Sequence, residues 1–210
     1  MKIRQASVKD LSGVIRIHQE AFQGSLMTQL GPRFLRVYYR TVMTYANSVF
    51  YVAERGEEIL GFVAGFVRPE SFYHNLSKHR LRLAVSMMPG LWRSPQLLFR
   101  VIGNMRQVEK NSARRETRES AELASIAVLP SEGGKGIGKQ LVQAFCEAAF
   151  ARRAEQVFLT TDAEDNMAVN QFYLRLGFEK REDFVAPGNR LMNKYMITAE
   201  AALFQRGAQS

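Results

Sequence analysis

Four glycines stand close together just past the middle of the chain, between an apolar run and an amphipathic segment. They are Gly133, Gly134, Gly136 and Gly138. Glycine lets the backbone approach a bulky anion without a Cβ clash, and it adopts positive φ readily. A helix that begins directly after such a loop aims its unpaired N–H groups and the positive end of its dipole at the same anion. The stretch therefore predicts a strand over 122–129, a loop that binds phosphate or pyrophosphate, and a helix over 137–153.

The spacing of these glycines argues against two common kinds of phosphate loop. The dinucleotide-binding pattern G-x-G-x-x-G fails, because Leu141 stands where its third glycine belongs. The Walker A pattern G-x-x-x-x-G-K-[ST] fits from Gly133 to Lys139, but Gln140 stands where a Ser or Thr would bind Mg²⁺. An ATP site is therefore the weaker interpretation of the loop.

A second group of polar side chains lies one predicted strand further along the chain. Asn166, Asn170 and Tyr173 are spaced i, i+4 and i+7, so they share one face of a helix predicted over 167–176. Gly177 follows as the glycine that ends this helix. Two amides and a phenol along one edge can bind a ligand. The alternative is a polar surface stripe with a half-buried tyrosine.

Together these two elements resemble the GNAT N-acetyltransferases. The acyl-coenzyme A loop of that family, [QR]-x-x-G-x-[GA] after a strand, matches Gly133-Gly-Lys-Gly136-Ile-Gly138, although Gly133 stands where the family usually has Gln or Arg. The segment Tyr173-Leu-Arg-Leu-Gly177-Phe178 is similar to the family's helix ending in Y-x-x-x-G-F. The resemblance covers most of residues 1–198 but not residues 69–118.

The resemblance implies that an acetyl group passes directly from acetyl-CoA to an amine in a ternary complex, without a metal. Main-chain groups of Ile126, Ala127 and Val128 would hold the pantetheine arm, and the Val128 amide would stabilise charge on the thioester oxygen. The loop and the next helix would hold the rest of coenzyme A. The residues expected to do so are Gly133, Gly134, Lys135, Gly136, Ile137, Gly138, Lys139, Asn166, Asn170 and Tyr173.

Two side chains are candidates for the proton transfers. Tyr173 resembles the family's general acid, and an ordinary phenol pKa of ~10 suits protonation of a leaving thiolate. Glu122 opens the coenzyme A strand and could act as general base, directly or through a water. The alternative for Glu122 is an exposed carboxylate at the end of a strand with no role in the reaction.

The acceptor amine is expected across the sheet from coenzyme A. The family builds that wall from the loop between its first helices, here predicted over 23–30, and from the last strand hairpin, here 184–193. The residues expected to contact the acceptor are Phe22, Ser25 and Met27. The acceptor itself is expected to be a small-molecule or peptide amine, and a homodimer remains an open alternative.

Positive charge is concentrated in one segment of the chain. The formal net charge is +9, and residues 71–118 hold ten Lys or Arg against two acidic residues, which accounts for eight of those charges. Such a segment indicates an anionic acceptor, nucleic acid or an anionic membrane surface, and it equally suits a solubilising face. The alternative function is a nucleic-acid-associated or regulatory protein that binds acetyl-CoA without transferring the acetyl group.

The remaining patterns supply the elements that position these residues. Their order is β-α-α-β-β-(insert)-β-α-β-α-β-β, which predicts an α/β (α+β) protein with a mixed sheet of about seven strands flanked by helices. We expect one domain over 1–198, a basic helical insertion at 69–118 and a tail at 199–210. Within the insertion, the apolar run 76–88 is predicted to end at Pro89-Gly90, and Ser94-Pro95 to begin another helix.

Composition excludes several classes of protein. No apolar run approaches the ~20 residues that span a bilayer, and the first residues lack the apolar core of a signal peptide. The only cysteine, Cys146, cannot form an intrachain disulfide and is predicted to be a packing residue. One cysteine and three histidines argue against a metal site. A cytoplasmic location fits these features.

Overall fold

Seven strands make up one sheet in the described part of the chain. The computed structural model describes residues 1–78, 80–94, 96–97, 101 and 119–202. The strands are β1 (Lys2–Gln5), β2 (Ser48–Arg55), β3 (Glu58–Val67), β4 (Ser120–Val128), β5 (Gln156–Asp162), β6 (Glu179–Ala186) and β7 (Arg190–Thr198). Their order across the sheet is β1-β2-β3-β4-β5-β7-β6. Only β4 and β5 pair in parallel among these strands, so the predicted mixed sheet is confirmed.

Helices cover both faces of this sheet. They are α1 (Leu11–Ala21), α2 (Leu26–Leu30), α3 (Pro32–Thr44), α4 (Pro69–Lys78), α5 (Arg80–Arg93), α6 (Ile137–Ala151) and α7 (Met167–Arg175), with 3₁₀ turns at Val8–Asp10 and Pro130–Glu132. Two adjacent residues of β3 contact helices on opposite faces of the sheet. A Cβ on Gly61 would point at Leu141 of α6, whereas Phe62 packs edge-on against Tyr39 of α3 with ring centroids 5.3 Å apart.

The first helices depart from the prediction at one point. Residues 23–30 were expected to be a loop, but Leu26–Leu30 forms the short helix α2. The hydroxyl of Ser25 accepts a hydrogen bond from the Thr28 N–H at 3.2 Å and caps this helix. A helix of five residues is too short to show the apolar periodicity that identifies longer helices.

The Pro89-Gly90 pair does not end a helix, as predicted, but lies inside α5. A Cβ at Gly90 would stand 2.8 Å from both Cα and the carbonyl oxygen of Leu30, so α5 crosses α2 with the two backbones in close contact. Gly90 therefore permits helix packing at this position. The helix predicted to begin at Ser94-Pro95 falls largely outside the described residues.

The strand after α7 is longer than its sequence pattern predicts. The pattern indicates a short strand over residues 178–180, whereas β6 extends over Glu179–Ala186 at the edge of the sheet. Its first five residues are exposed and charged or polar, which hides the strand pattern from periodicity. The glycine-rich loop leads into α6 as predicted, and Cys146 is buried on that helix.

The start of the sheet is joined to α1 by an ion pair. Arg4 donates two hydrogen bonds of 2.8 Å to the carboxylate of Asp10, and the Ser7 N–H donates a third at 2.7 Å. These bonds favour the charged carboxylate, with the Arg4 contribution largest, and they lower the pKa of Asp10 from 3.8 to about 2. Ser7 and Asp10 thus form a capping box at the start of the 3₁₀ turn that precedes α1.

Replacing Asp10 with Asn should lower the free energy of unfolding by about 1–2 kcal/mol at neutral pH, because Arg4 loses one of its two carboxylate partners and keeps only Glu54. The stabilisation is present above the unfolded-state pKa near 3.8 and is lost as pH falls through about 2. The difference between wild type and variant should therefore shrink on acidification in urea unfolding experiments. A difference that stays constant from pH 6 to pH 2 would contradict this account.

Candidate active site

The two parallel strands at the centre of the sheet pair over only three residues and then separate. The paired positions are Ser120 with Gln156, Ala121 with Val157 and Glu122 with Phe158. Beyond this point β4 continues along β3 as far as Val128, while β5 continues along β7 as far as Asp162. A gap therefore opens in the middle of the sheet, with residues 123–128 along one side of it.

A β-bulge in β4 accounts for this separation. Ala64 and Gly65 of β3 are neighbours, yet they face Ser125 and Leu123, so Ala124 is an extra residue in β4. The bulge requires a glycine opposite, because a Cβ at Gly65 would collide with the carbonyl oxygen of Glu122. A bulged strand bends, which turns the second half of β4 away from β5.

The bulge also changes which side chains of β4 share a face. Glu122 and Ser125 are three residues apart and would lie on opposite faces of a regular strand. With Ala124 as the extra residue, both side chains reach the face covered by α1 and α3. Glu122 there receives hydrogen bonds from Tyr73, and Ser125 is hydrogen-bonded to Tyr39.

Main-chain groups of Ile126 and Val128 face the gap. The Leu129 N–H donates to the Leu60 carbonyl at 2.8 Å, which fixes the alternation of hydrogen bonds between β4 and β3. The main chain of Ala127 is accordingly directed at β3, and the groups on either side of it are directed away. An extended ligand in the gap could pair with Ile126 and Val128 as an added strand.

The glycine-rich loop ends in an uncapped helix. Gly134 and Gly136 both have φ of 76°, and a Cβ at either would meet nothing within 4 Å, so glycine is needed there for conformation and not for space. Gly136 is the N-cap of α6, and among the described residues no side chain caps it. The N–H groups of Ile137 and Gly138 therefore have no side-chain cap and can meet solvent or a ligand.

The loop and α7 meet at Gly138. A Cβ at this position would lie 3.4 Å from Cζ of Phe172 and 4.0 Å from Cγ2 of Val128. These are ordinary van der Waals distances, so α7 and the end of β4 both lie next to the first turn of α6. The two sequence motifs are brought to one place in the fold.

The predicted loop lysine is already held inside the loop. Lys135 forms an ion pair of 3.2 Å with Glu132 and donates to the Ser131 carbonyl at 3.3 Å. Arg55 of β2 donates two hydrogen bonds to the same carboxylate at 3.2 and 3.0 Å. Arg55 first, and then Lys135, lower the pKa of Glu132. The loop therefore carries one net positive charge from these three side chains.

Asn166 and Asn170 fasten α7 to the sheet. The Asn166 amide donates to Thr161 Oγ1 at 2.6 Å, and the Asn170 amide donates to the Asp162 carbonyl at 3.0 Å. The oxygen of Asn170 accepts from Asn193 at 3.0 Å and from Tyr195 at 2.9 Å; both residues are on β7. The amides predicted to face a ligand thus position α7 at the end of β5.

Tyr173 is buried on α7 and keeps its proton. Its ring lies between Phe172, Phe178 and Tyr195, with centroids 5.1 to 6.1 Å away. Burial raises the pKa of the phenol well above its ordinary value of 10.0. The hydroxyl makes no hydrogen bond within the part of the chain that the structure describes. It is a proton donor without a competing acceptor there.

Glu122 is held by a tyrosine from the insertion. Tyr73 of α4 lies with its hydroxyl 2.9 and 3.1 Å from the two carboxylate oxygens. Tyr38 of α3 also lies close, since burial first and the charge of Glu122 second raise the pKa of its phenol. A carboxylate with phenols around it lies at the start of the gap. Neither tyrosine was among the site residues predicted from the sequence.

A buried hydrogen-bonded chain lies beside this carboxylate. His18 Nδ1 of α1 is 2.7 Å from the hydroxyl oxygen of Tyr39, which is in turn hydrogen-bonded to Ser125 of β4. Burial lowers the pKa of His18 to about 4, so the imidazole is neutral at pH 7. Its Nε2 is buried and has no partner among the described residues. His18 is therefore buried, and hydrogen bonds through Tyr39 link it to Ser125 of the bulged strand β4.

The three residues predicted to contact an acceptor lie around α2. The ring of Phe22 is 4.7 Å from that of His18, and Met27 is half-buried between the main core and the contact of α2 with α5. Ser25 uses its hydroxyl to cap α2. A residue that prediction missed is Asn193, which is buried and whose Oδ1 has no partner among the described residues.

The comparisons with known proteins agree with this geometry. Residues 99–178 match the acetyltransferase (GNAT) family. This match covers less than half of the chain. An uncharacterized N-acetyltransferase of Methanocaldococcus jannaschii is 42% identical over 67 residues, and the match covers 32% of this chain and 29% of the relative's length.

Solved structures of GNAT proteins share the fold at low sequence identity. Ard1 from Thermoplasma volcanium has a TM-score of 0.60 and 16% identity, with 94% of this chain and 96% of that chain covered. Ribosomal-protein-alanine N-acetyltransferase from Brucella melitensis has a TM-score of 0.60 and 17% identity, with 94% and 99% covered. At this level of identity the likeness concerns the fold alone.

Two features are absent from the described residues. None of the helices in these ranges is long and apolar enough to cross a membrane. In the same ranges no group of three or more His, Cys, Asp or Glu is placed to hold a metal ion.

Replacing Asn170 with Ala should destabilise the protein by about 2–3 kcal/mol, because Asn193 and Tyr195 lose their shared acceptor. The matched comparison is Tyr195→Phe, which removes one of these bonds and should cost about 1 kcal/mol. Denaturant unfolding measures both. If Asn170→Ala costs no more than Tyr195→Phe, the amide does not fasten α7 as described.

Proposed function

We propose that the protein is an N-acetyltransferase that moves the acetyl group of acetyl-CoA directly to a primary amine of a small molecule or peptide, in a ternary complex. The observation that carries this proposal is the gap between β4 and β5. On one side it offers the main-chain groups of Ile126 and Val128, and the uncapped start of α6 lies at the end of the same strand. A ligand with both an amide-bearing arm and a pyrophosphate fits this pair of features.

The residues of the loop suit the anionic part of coenzyme A. The N–H groups of Ile137 and Gly138 have no side-chain cap in the described structure, and the dipole of α6 adds positive potential. Gly134 and Gly136 hold the loop in a conformation that other residues rarely adopt. Gly133 lacks the side chain that the family usually has at this position, so the cradle here relies on backbone groups.

The amide-bearing part of coenzyme A suits the edge of β4. Ile126 and Val128 can each exchange hydrogen bonds with its amides, whereas we expect Ala127 to contribute through its place in the sheet alone. The Val128 N–H is also our candidate donor to the thioester oxygen, on which negative charge develops during attack.

The reaction needs a neutral amine and a proton for the leaving sulfur. The amine nitrogen attacks the thioester carbon, the C–N bond forms and the C–S bond breaks. Glu122 accepts a proton from the amine, directly or through a water, and Tyr173 donates its proton to the departing thiolate. The raised pKa of Tyr173 keeps that proton in place until the thiolate forms.

The acceptor is proposed to enter from the face that carries α1, α2 and α3. Glu122, Tyr38 and Tyr73 lie on this face at the start of the gap. The insertion at 69–118, whose Tyr73 reaches Glu122, carries net positive charge, which favours an anionic amine such as an acidic peptide terminus or an amino sugar linked to a nucleotide. We place the reaction in the cytoplasm and treat residues 1–198 as one domain.

Thiol release from acetyl-CoA across a library of amines tests the activity. Turnover of acidic or phosphorylated amines is the expected result. Turnover restricted to polyamines and aminoglycosides would contradict an anionic acceptor, and no turnover with tight acetyl-CoA binding would indicate a regulatory protein.

Replacing Tyr173 with Phe should lower kcat by about 10²-fold or more, because the thiolate loses its acid. The dissociation constant for acetyl-CoA should stay within about twofold, since the ring still packs among the same neighbours. Tyr45→Phe is the matched control, because Tyr45 is half-buried on another element and its hydroxyl donates only a long bond of 3.4 Å to the Arg68 carbonyl. Equal kcat in the two variants would remove Tyr173 from the mechanism.

Replacing Tyr73 with Phe should move the acidic limb of the kcat/KM profile to higher pH. The carboxylate of Glu122 would lose a phenol that hydrogen-bonds its charged form at 2.9 and 3.1 Å. Tyr73 is thus a positioning residue in this account. A pH profile identical to wild type, at any level of kcat, would show that the base is not Glu122.

A further inference from the structure

One face of α5 is packed against the N-terminal helices. Leu83 and Ser86 are buried, Met87 is half-buried, and Gly90 brings the backbone of α5 against Leu30. These positions fall within about 100° of one another on a helix with 100° per residue. Leu91 also packs against this cluster and widens the packed face, which still takes up less than half of the circumference of α5.

The opposite face of α5 presents large apolar side chains to solvent. Leu81 is 76% exposed, Val85 59%, Met88 49% and Trp92 84%. Their spacing is i, i+4, i+7 and i+11, which places them on one stripe about 60° wide, directly opposite Gly90. A helix of a soluble protein normally has polar residues on this side. A continuous exposed stripe of this kind marks an interaction surface.

The segment of sequence that contains this stripe is rich in basic residues. The segment 71–108 holds six Lys or Arg and no Asp or Glu. Of these, Lys78 at the end of α4 and Arg82 on α5 are exposed in the structure. Arg82 lies about 100° around the helix from Leu81, at the border of the stripe. The apolar stripe therefore borders basic groups that would be attracted to an anionic surface.

We propose that the exposed face of α5 binds the surface of a membrane that contains anionic phospholipids. Leu, Val, Met and Trp side chains on a helix lying in the plane of the interface insert among the acyl chains and headgroups, while Lys and Arg contact the lipid phosphates. This inference concerns where the protein is held, and it does not depend on acetyl transfer.

The charge and the apolar side chains of this region together favour an anionic bilayer over a second copy of the chain or nucleic acid. A second copy bound through the same face would bring two segments of like charge together. Nucleic acid would satisfy the basic groups but would leave Leu81, Val85 and Met88 without apolar contacts. An anionic bilayer offers partners for both kinds of side chain at once.

The chain contains a single tryptophan, and it lies on this face. The fluorescence emission of Trp92 in the unmodified protein therefore reports directly on the proposed contact. Vesicles of phosphatidylcholine with about 30% phosphatidylglycerol should shift the emission to shorter wavelength, with binding at least about tenfold stronger than to phosphatidylcholine alone. The shift should diminish as salt is raised from about 0.05 to 0.5 M.

Substitution separates this face from the rest of the surface. Leu81→Ser with Val85→Ser should weaken binding to the anionic vesicles by about tenfold or more and leaves Trp92 in place as the reporter. Val8→Ser is the matched control, because Val8 is 53% exposed in a 3₁₀ turn outside the insertion, and it should change binding by less than about twofold. Thermal unfolding of both variants verifies that they are folded.

Four results would overturn the proposal. The first is no emission shift with anionic vesicles at low salt. The second is vesicle binding that the double substitution leaves unchanged. The third is an emission that is already blue-shifted in solution and depends on protein concentration, which would mean that a second copy covers the stripe. The last is a shift with duplex DNA and none with vesicles.

Discussion

The contact between Gly65 and the bulged strand β4 determines the shape of this protein more than any other. The carbonyl of Glu122 and the ring of Phe145 occupy the space that a Cβ at Gly65 would need. This close approach accommodates the extra residue Ala124, and the bulge in turn bends β4 away from β5. One backbone irregularity thereby exposes main-chain groups in the middle of a sheet, where they would ordinarily be paired. It also turns Glu122 toward the face on which the acceptor is proposed to bind.

The remaining elements hold this opening in a fixed form. Asn170 links α7 to β5 and β7, and Phe172 of the same helix lies next to Gly138 at the start of α6. These contacts place Tyr173 in an apolar setting that keeps it protonated. On the other face, Tyr73 from α4 donates a hydrogen bond to the carboxylate of Glu122, so the insertion contributes one side chain to the candidate site. Polar residues here act mainly by positioning their neighbours.

The sequence was sufficient to predict what depends on local patterns. The glycines of the loop, the helix that follows it and the amide–phenol spacing of Asn166, Asn170 and Tyr173 have short-range signatures, and the family model and the fold agree with the family they indicated. The order of strands and helices along the chain followed from the apolar runs and their breaks. The same patterns gave Glu122 two open interpretations, because its setting depends on a bulge that only β3 and β4 together define.

Features that depend on contacts between distant residues were missed. Tyr73 meets Glu122 across 49 positions of sequence, and Tyr39 meets His18 across 21. The orientation of Ala127 toward β3 follows from register, which a single strand does not reveal. Pro89-Gly90 has the composition of a helix end, yet packing of Gly90 on Leu30 keeps it inside α5. Tertiary packing overrides local propensity in each case.

The central claim is that the gap between β4 and β5 receives acetyl-CoA as an added strand. Residue-resolved amide hydrogen exchange, measured by NMR with and without acetyl-CoA, tests it most directly. Exchange at Ile126 and Val128, and at the first-turn amides of Ile137 and Gly138, should slow by about tenfold or more on binding, while Ala127 should already be protected in the free protein. Tight binding of acetyl-CoA with unchanged exchange at Ile126 and Val128 would contradict the account.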